Sequence, residues 1–299
     1  HTFGFTYQPW ADQFSLSRGF LRLATGLTWM FVIGAAVPGV SSAADQWQVG
    51  PSVNYSTGRY GLSSRTDVVS APLTIRRLFT DGDITLNVSY LSISGDCSVT
   101  FVSGQPQRTS GRCPTRRALV LPGGGGISRP VVVRQREDGF GDTILRGRYY
   151  VLDGAVNSVV PTIAITGRIK FPTADEDRGL GTGKFDEGVG MELSKFLTES
   201  WLLFVDGSYT FIGDPEGVNF HDQWNYDVGR GYYLTPRVIG SFYYEEWGAL
   251  LPGLPNPRDL LVTLSWKMTD TWRMTGSFQL GLSSGAPANG MSFGVSARF

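Results

Sequence analysis

The sequence has little charge, few cysteines and few histidines, and each shortage argues against a class of function. Charged residues make up only 17% of the 299 positions and the formal net charge is +0, which gives no support to a nucleic-acid partner. Two cysteines and two histidines are present, so a site built on thiolates or imidazoles would lack ligands. The sequence therefore predicts no metal and no cofactor.

The chain is also too polar for a bundle of membrane helices. Its hydrophobic content is 41% and its mean hydropathy is -0.07. A transmembrane β-barrel exposes only alternate residues of each strand to lipid, and this composition suits that class. The length is normal for a single all-β barrel.

One long apolar run lies near the N-terminus, from Leu23 to Val40. Two arginines precede it and small residues follow it up to Ala44. A positive flank, an apolar core and small residues before a polar start are typical of a secretory signal peptide. We therefore predict a signal peptide with its upstream residues over 1–44 and a mature barrel over 45–299. A retained membrane anchor is the alternative.

The C-terminal residues show an alternation that recurs through the mature chain. From Met291 to Phe299, apolar residues alternate strictly with Ser, Gly and Arg. A period of two indicates a strand with one apolar and one polar face. A terminal aromatic such as Phe299 on such a strand resembles the end that the barrel-assembly machinery of the bacterial outer membrane reads. We expect this strand to pair both with 47–55 and with 272–282, which would close a barrel.

Twelve such segments of about ten to fourteen residues follow one another, and their connections alternate between long or variable and short. An even strand number, short turns at one end and longer loops at the other are typical of outer-membrane barrels. The sequence therefore predicts an all-β, antiparallel, up-and-down transmembrane β-barrel of about 12 strands in the bacterial outer membrane. A soluble sandwich or barrel with its apolar faces in a shared core is the alternative.

In the membrane barrel the apolar faces contact lipid and the polar faces line the lumen. Arg230 is the one poor fit, because it falls on the apolar face of its strand. Charged lumen residues either pair with one another or line a narrow wet pore. A slight basic excess hints at anionic solutes. The lumen-lining residues predicted from the alternation are Arg76, Arg146, Arg148, Arg168, Lys170, Glu192, Asp206, Asp227, Arg237, Glu245, Lys267, Arg273 and Arg298.

A long loop, predicted over 95–139, interrupts the regular spacing and contains both cysteines. In an exported protein a pair of cysteines in one loop favours a disulfide, here between Cys97 and Cys113, worth about 3 kcal/mol. The loop is rich in arginine, so it suits contact with lipopolysaccharide phosphates or an inward-folded constriction. A solvated loop is the third alternative.

Four short stretches resemble the outer-membrane family named for the meta-pathway of phenol degradation. They are Tyr55–Gly61, Val88–Gly95, Gly139–Asp142 and Phe171–Lys184, although members usually have Pro where Ser89 stands. The long loop looks like an insertion relative to that family. The resemblance implies a transporter of small organic compounds, including aromatic ones.

The functional expectation is therefore an outer-membrane channel for passive uptake of small organic or hydrophobic solutes, with membrane lipid as its surroundings. The alternative is a structural or adhesive barrel whose lumen is closed by charge pairs. His221, beside Asp222 and near Asp214, is the one candidate for catalysis, and a single histidine near acids is weak support. We expect no enzymatic activity.

Overall fold

The computed structural model describes residues 46–109, 135–154 and 158–299. The predicted signal peptide lies outside these residues. Within them, no helix is long and apolar enough to cross a membrane.

The described residues form fifteen β-strands, which belong to a thirteen-stranded sheet and a two-stranded sheet. In chain order the strands are β1 (Gln46–Gly58), β2 (Thr66–Phe79), β3 (Gly82–Gly95), β4 (Val99–Val102), β5 (Gln105–Arg108), β6 (Gln135–Phe140), β7 (Thr143–Leu152), β8 (Thr162–Phe171), β9 (Asp186–Phe196), β10 (Trp201–Ile212), β11 (Gln223–Thr235), β12 (Val238–Trp247), β13 (Arg258–Lys267), β14 (Trp272–Gly281) and β15 (Asn289–Arg298).

The large sheet closes into a barrel, as predicted. β15 pairs antiparallel with both β14 and β1, and β1 continues into β2 and β3. At the seam, Trp47 and Phe299 exchange two backbone hydrogen bonds, of 2.7 and 2.9 Å. Closure leaves no unpaired sheet edge there, which a barrel in lipid requires.

β6 and β7 are two parts of one interrupted wall strand. β3 pairs with β7 over Gly82–Asn87 and with β6 over Tyr90–Gly95. At the break, the N–H of Gly141 still donates to Ser89 O at 2.8 Å, while Asp142 leaves the ladder. Counted this way the wall has twelve strands, and the predicted fold class is confirmed. Because β6 begins at Gln135, the long connection spans 96–134 rather than the predicted 95–139.

We call the end of the barrel that carries Gln46 and Phe299 the proximal end, and the opposite end the distal end. Six connections join successive wall strands at the distal end, at 59–65, 96–134, 172–185, 213–222, 248–257 and 282–288. Five cross the proximal end, and most of these are tight turns. Buried apolar clusters lie under the distal loops, one around Leu91 and Leu180 and another around Val102 and Leu250.

The apolar face of each strand points outward. Large apolar side chains are exposed along the whole wall, for example Met291 (58%), Phe293 (51%) and Val262 (50%). Arg230 shares this exposed face, opposite Leu203 and Phe242 on the neighbouring strands. An outward apolar surface around a polar interior is the arrangement of a membrane barrel, and it excludes the soluble alternative, which needs apolar side chains in a shared core.

Candidate functional site

A cavity of about 920 Å³ occupies the lumen. Inward side chains of the wall line it, together with Gln105 from β5 at the distal end, and many of them are Ser, Thr or Asn. The sequence-predicted residues that line this cavity are Arg146, Arg148, Arg168, Glu192, Asp206, Asp227 and Arg273.

The remaining predicted residues lie elsewhere. Arg76 and Glu245 lie on inward-facing positions outside the cavity lining, and Lys170 is fully buried. Lys267 pairs with Asp270 at 3.1 Å beside a proximal turn. Arg298 Nε donates to Gln46 Oε1 at the seam. Arg237 does not line the lumen: it is exposed in the turn between β11 and β12, where its carbonyl accepts from Lys267 N at 2.8 Å.

The hairpin formed by β4 and β5 folds inward across the distal mouth. We call residues Val99–Arg108 the plug hairpin. Its turn residue Ser103 donates from Oγ to Asp186 Oδ2 on β9 at 2.9 Å. The carbonyl of Ser103 accepts from Arg168 Nη2 on β8 at 2.8 Å. Gly188 makes this approach possible, because a Cβ there would lie 2.8 Å from Arg168 Cγ. One side of the barrel thus holds the hairpin's turn.

Other parts of the barrel hold β5. Gln107 and Gln223 exchange side-chain amide hydrogen bonds of 3.1 and 2.8 Å, and both residues are buried. Arg108 reaches the carbonyl of Gly61 in the first distal loop at 3.1 Å. Val102 is fully buried against distal-loop residues, including Leu250. These attachments show that residues 99–108 fold inward across the mouth. For this part of the long loop, the structure therefore agrees with the predicted inward-folded constriction.

The loop's first residue, Asp96, fixes where the plug hairpin begins. Its carboxylate accepts from Ser98 N and Ser64 Oγ, each at 2.9 Å. Burial raises the pKa of Asp96, but the hydrogen bonds from Ser98 and Ser64 outweigh it, and the pKa falls below its usual value. Cys97 lies in the adjoining turn, whereas Cys113 lies outside the described residues. The disulfide and the lipopolysaccharide contact of the basic loop stay predictions.

Arg76, Asp83, Arg146, Arg148 and Glu192 form a continuous chain of ion pairs, which we call the ion-paired wall. Asp83 accepts from Arg76 at 2.5 Å and from Arg148 at 3.4 Å. Arg148 also contacts Glu192 at 2.8 Å, and Arg146 pairs with the same carboxylate.

Small residues on β8 let the ion-paired wall form. Arg146 and Arg148 come from β7 and Glu192 comes from β9. Their side chains must therefore reach across β8, which lies between these two strands. Ala164 lies level with Glu192 and Thr166 lies level with Arg148 in the strand register, and neither side chain is long enough to block the contact.

A second ionic group joins the wall to the distal loops. Lys170 has no exposed surface and contacts Asp142 at 3.2 Å and Asp186 at 3.0 Å. It also donates to Thr182 Oγ1 at 2.7 Å. Asp186 in turn holds Ser103, so the buried lysine supports the plug hairpin.

Asp206, Asp227, Glu245 and Asp259 form a different arrangement, which we call the carboxylate row. Asp206 lies directly opposite Asp227, Asp227 opposite Glu245, and Glu245 opposite Asp259, on four successive strands. Asp206 is also opposite Glu192, so the row begins where the ion-paired wall ends. Among the described residues no lysine or arginine forms an ion pair with any member of the row.

The sequence predicted an inward-folded loop as one of three alternatives, but it did not locate the plug hairpin, and it did not single out Asp83. The dipeptide Ser103-Gly104, where Ser103 has φ of 50° and Gly104 of 85°, is a turn signal between two short alternating stretches. This turn signal could have located the hairpin in the sequence. Asp83 sits at the edge of a predicted turn, where alternation assigns no face, and only the strand register shows that it points into the lumen.

The catalytic candidate is not assembled as a site. Asp214 Oδ1 accepts from Phe220 N at 2.7 Å and Asp222 Oδ1 from Ile212 N at 3.0 Å. His221 donates its backbone N–H to Leu250 O. Both carboxylates therefore hold the backbone around loop 213–222.

A family model described as "Putative MetA-pathway of phenol degradation" matches residues 82–299. The chain belongs to this family. The match covers the plug hairpin, the carboxylate row and all of the ion-paired wall except Arg76. No curated protein matches the chain significantly.

The chain is similar to several solved structures at low sequence identity. The NanC porin is 11% identical with a TM-score of 0.48, covering 83% of this chain and 98% of that one. The KdgM porin in complex with disordered oligogalacturonate is 10% identical with a TM-score of 0.46, covering 83% and 99%. The P. putida toluene transporter TodX is 10% identical with a TM-score of 0.38, covering 86% and 89%.

Proposed function

We propose that this family member is an outer-membrane channel for the passive uptake of small organic compounds. The observation that carries the proposal is the polar cavity of about 920 Å³ inside a closed barrel with an apolar exterior. A cavity of this size is in the range that holds small-molecule ligands. Its lining combines hydroxyl groups with charged groups of both signs.

The plug hairpin sets where solutes enter. It is held by hydrogen bonds on two sides of the mouth, so solutes pass beside it rather than through its attachments. Aromatic solutes suit the apolar side chains that also line the cavity, such as Phe204, Tyr243 and Ile239. This channel acts by diffusion, and no catalytic step is proposed for it.

The test is conductance of the refolded mature chain, residues 45–299, in a planar bilayer. We expect discrete openings whose amplitude falls when aromatic acids such as benzoate occupy the lumen. Weakening the plug hairpin with Val102→Ala and Gln107→Ala should raise the open conductance, because its buried anchors are lost. Ser63→Ala is the control, since Ser63 is exposed in another distal loop and does not line the cavity. We expect its conductance to stay close to that of the unmodified chain.

A structural or adhesive barrel is the second candidate, favoured by the plug hairpin and the ion-paired wall, which both narrow the lumen. If neither the unmodified chain nor the plug-hairpin variant opens, with or without solutes, the closed barrel is the better description.

A further inference from the structure

Arg230 is an arginine on the lipid-facing side of the barrel wall. It is exposed on the outer face of β11, directly opposite Leu203 on β10 and Phe242 on β12. Its guanidinium forms no ion pair and no hydrogen bond with side chains of the described residues. A charged side chain on the lipid face is destabilising in a depth-dependent way, so an ionisable residue there is a candidate for a specific contact.

Lys195 places a second positive charge on the same face. It lies directly opposite Leu203 from the other side, so β9, β10 and β11 present Lys195, Leu203 and Arg230 in one line. Lys195 Nζ donates to the carbonyls of Ser158 and Val160 in the proximal connection between β7 and β8, which hold the ammonium group without neutralising it. Because neighbouring strands are about 4.8 Å apart, the backbones of the two basic residues lie about 10 Å apart.

Two aromatic side chains lie immediately proximal to this line. Trp201 on β10 and Tyr232 on β11 are each two positions closer to the proximal end, and their ring centroids are 4.8 Å apart. Trp and Tyr rings are enriched at the level of the lipid headgroups. A step of two residues along a tilted strand covers about 5 Å of bilayer depth. The long side chain of Arg230 can therefore extend to the headgroup level.

The same part of the outer face has no carboxylate. On β9 to β13, the outward-facing carboxylates of the described chain are Glu187 and Glu246, and both lie near distal strand ends. Glu246 also accepts hydrogen bonds from the hydroxyls of Tyr226 and Tyr244. A negative partner for the two basic residues is therefore expected from the surrounding lipid rather than from the described chain.

We propose that Arg230 and Lys195, with Trp201 and Tyr232, bind the phosphate-bearing headgroup of an anionic phospholipid on the outer wall. Outer-membrane barrels have short periplasmic turns, so the proximal end and this site lie in the periplasmic leaflet. A guanidinium donates two parallel hydrogen bonds to a phosphate, and an ammonium group acts as a second point charge. Phosphatidylglycerol is favoured over phosphatidylcholine, because both basic side chains repel the choline ammonium. The site does not depend on whether the channel conducts.

The experiment is a titration of the refolded chain, residues 45–299, with phosphatidylglycerol in neutral detergent, followed by native mass spectrometry. We expect the first bound phosphatidylglycerol to have a dissociation constant about tenfold below that of phosphatidylcholine, and its binding to weaken as salt rises. Arg230→Met should raise the phosphatidylglycerol dissociation constant about tenfold, since a charge-assisted contact is lost. This variant places an apolar side chain on an apolar face, so we expect it to refold.

Arg258→Met is the matched control. Arg258 is an exposed arginine at the distal start of β13, directly opposite Glu246 on the same outer face, and its loss should leave phosphatidylglycerol binding unchanged. Arg230→Lys keeps the charge without the paired donors, so its dissociation constant should lie between those of the unmodified chain and Arg230→Met.

The proposal is overturned if phosphatidylcholine binds the unmodified chain as tightly as phosphatidylglycerol, or if Arg230→Met leaves phosphatidylglycerol binding unchanged. It is also overturned if Arg230→Met converts an oligomer into monomers in light scattering while lipid binding persists. A second copy of the chain, rather than a lipid, would then cover this face.

Discussion

The two halves of the lumen use the same kinds of residue in opposite ways. In the ion-paired wall, on β2 to β9, each of the two carboxylates meets two arginines, at 2.5–3.4 Å where a distance is given. In the carboxylate row, on β10 to β13, each carboxylate faces another carboxylate. Glu192 and Asp206 are direct cross-strand neighbours, yet they belong to different halves.

The two halves differ in the residues that lie between and beside their charged side chains. Arg146 and Arg148 on β7 reach Glu192 across β8, where the short side chains of Thr166 and Ala164 lie level with Arg148 and Glu192. On the other side, four successive strands each place a carboxylate at the same level, and no lysine or arginine of the described residues forms an ion pair with them. One half therefore pairs its charges across strands, while the other places carboxylates next to one another.

The largest effect is expected from Lys170→Met, which tests whether the paired half is structural. The change leaves Asp142 and Asp186 buried together without their shared cation. Removing one partner of a buried ion pair costs about 3–5 kcal/mol. The free energy of unfolding, from urea titration of the barrel in lipid vesicles followed by tryptophan fluorescence, should fall by that amount. Lys184→Met, in the same region, is the control and should cost less than about 0.5 kcal/mol.

An intermediate effect is expected at the boundary between the halves. Glu192→Gln should lower the free energy of unfolding by about 1–3 kcal/mol, because Arg146 and Arg148 lose their shared charged acceptor. Asp206→Asn removes the same charge from the neighbouring strand and should not destabilise the barrel. Equal losses in the two variants, measured by the same urea titration, would show that the two halves are not distinct.

Much of the wall was predictable from the sequence because alternation is a local property. The pairing of 291–299 with both 47–55 and 272–282 follows from period two and an even strand number, and it is confirmed. The outward position of Arg230 also follows from its place in the alternation. These features need no knowledge of which residues face each other.

The charge arrangement was not predictable in the same way. Alternation places Glu192 and Asp206 both inward, but it cannot say that one is paired and the other is not. That depends on strand register and on the size of Ala164 on the strand between. The position of the plug hairpin was missed for a similar reason, since Gln107 pairs with Gln223, 116 positions away in the sequence.

The smallest effect is expected inside the carboxylate row, where removing a charge should help the fold. Asp227 faces Asp206 on one side and Glu245 on the other, so Asp227→Asn relieves two like-charge contacts. The free energy of unfolding should rise by up to about 1 kcal/mol at low salt, and the gain should shrink as salt screens the row. Asp177→Asn, in an exposed distal loop, should show no comparable gain. Destabilisation by Asp227→Asn would contradict this and would show that a positive charge already compensates Asp227 in the folded barrel.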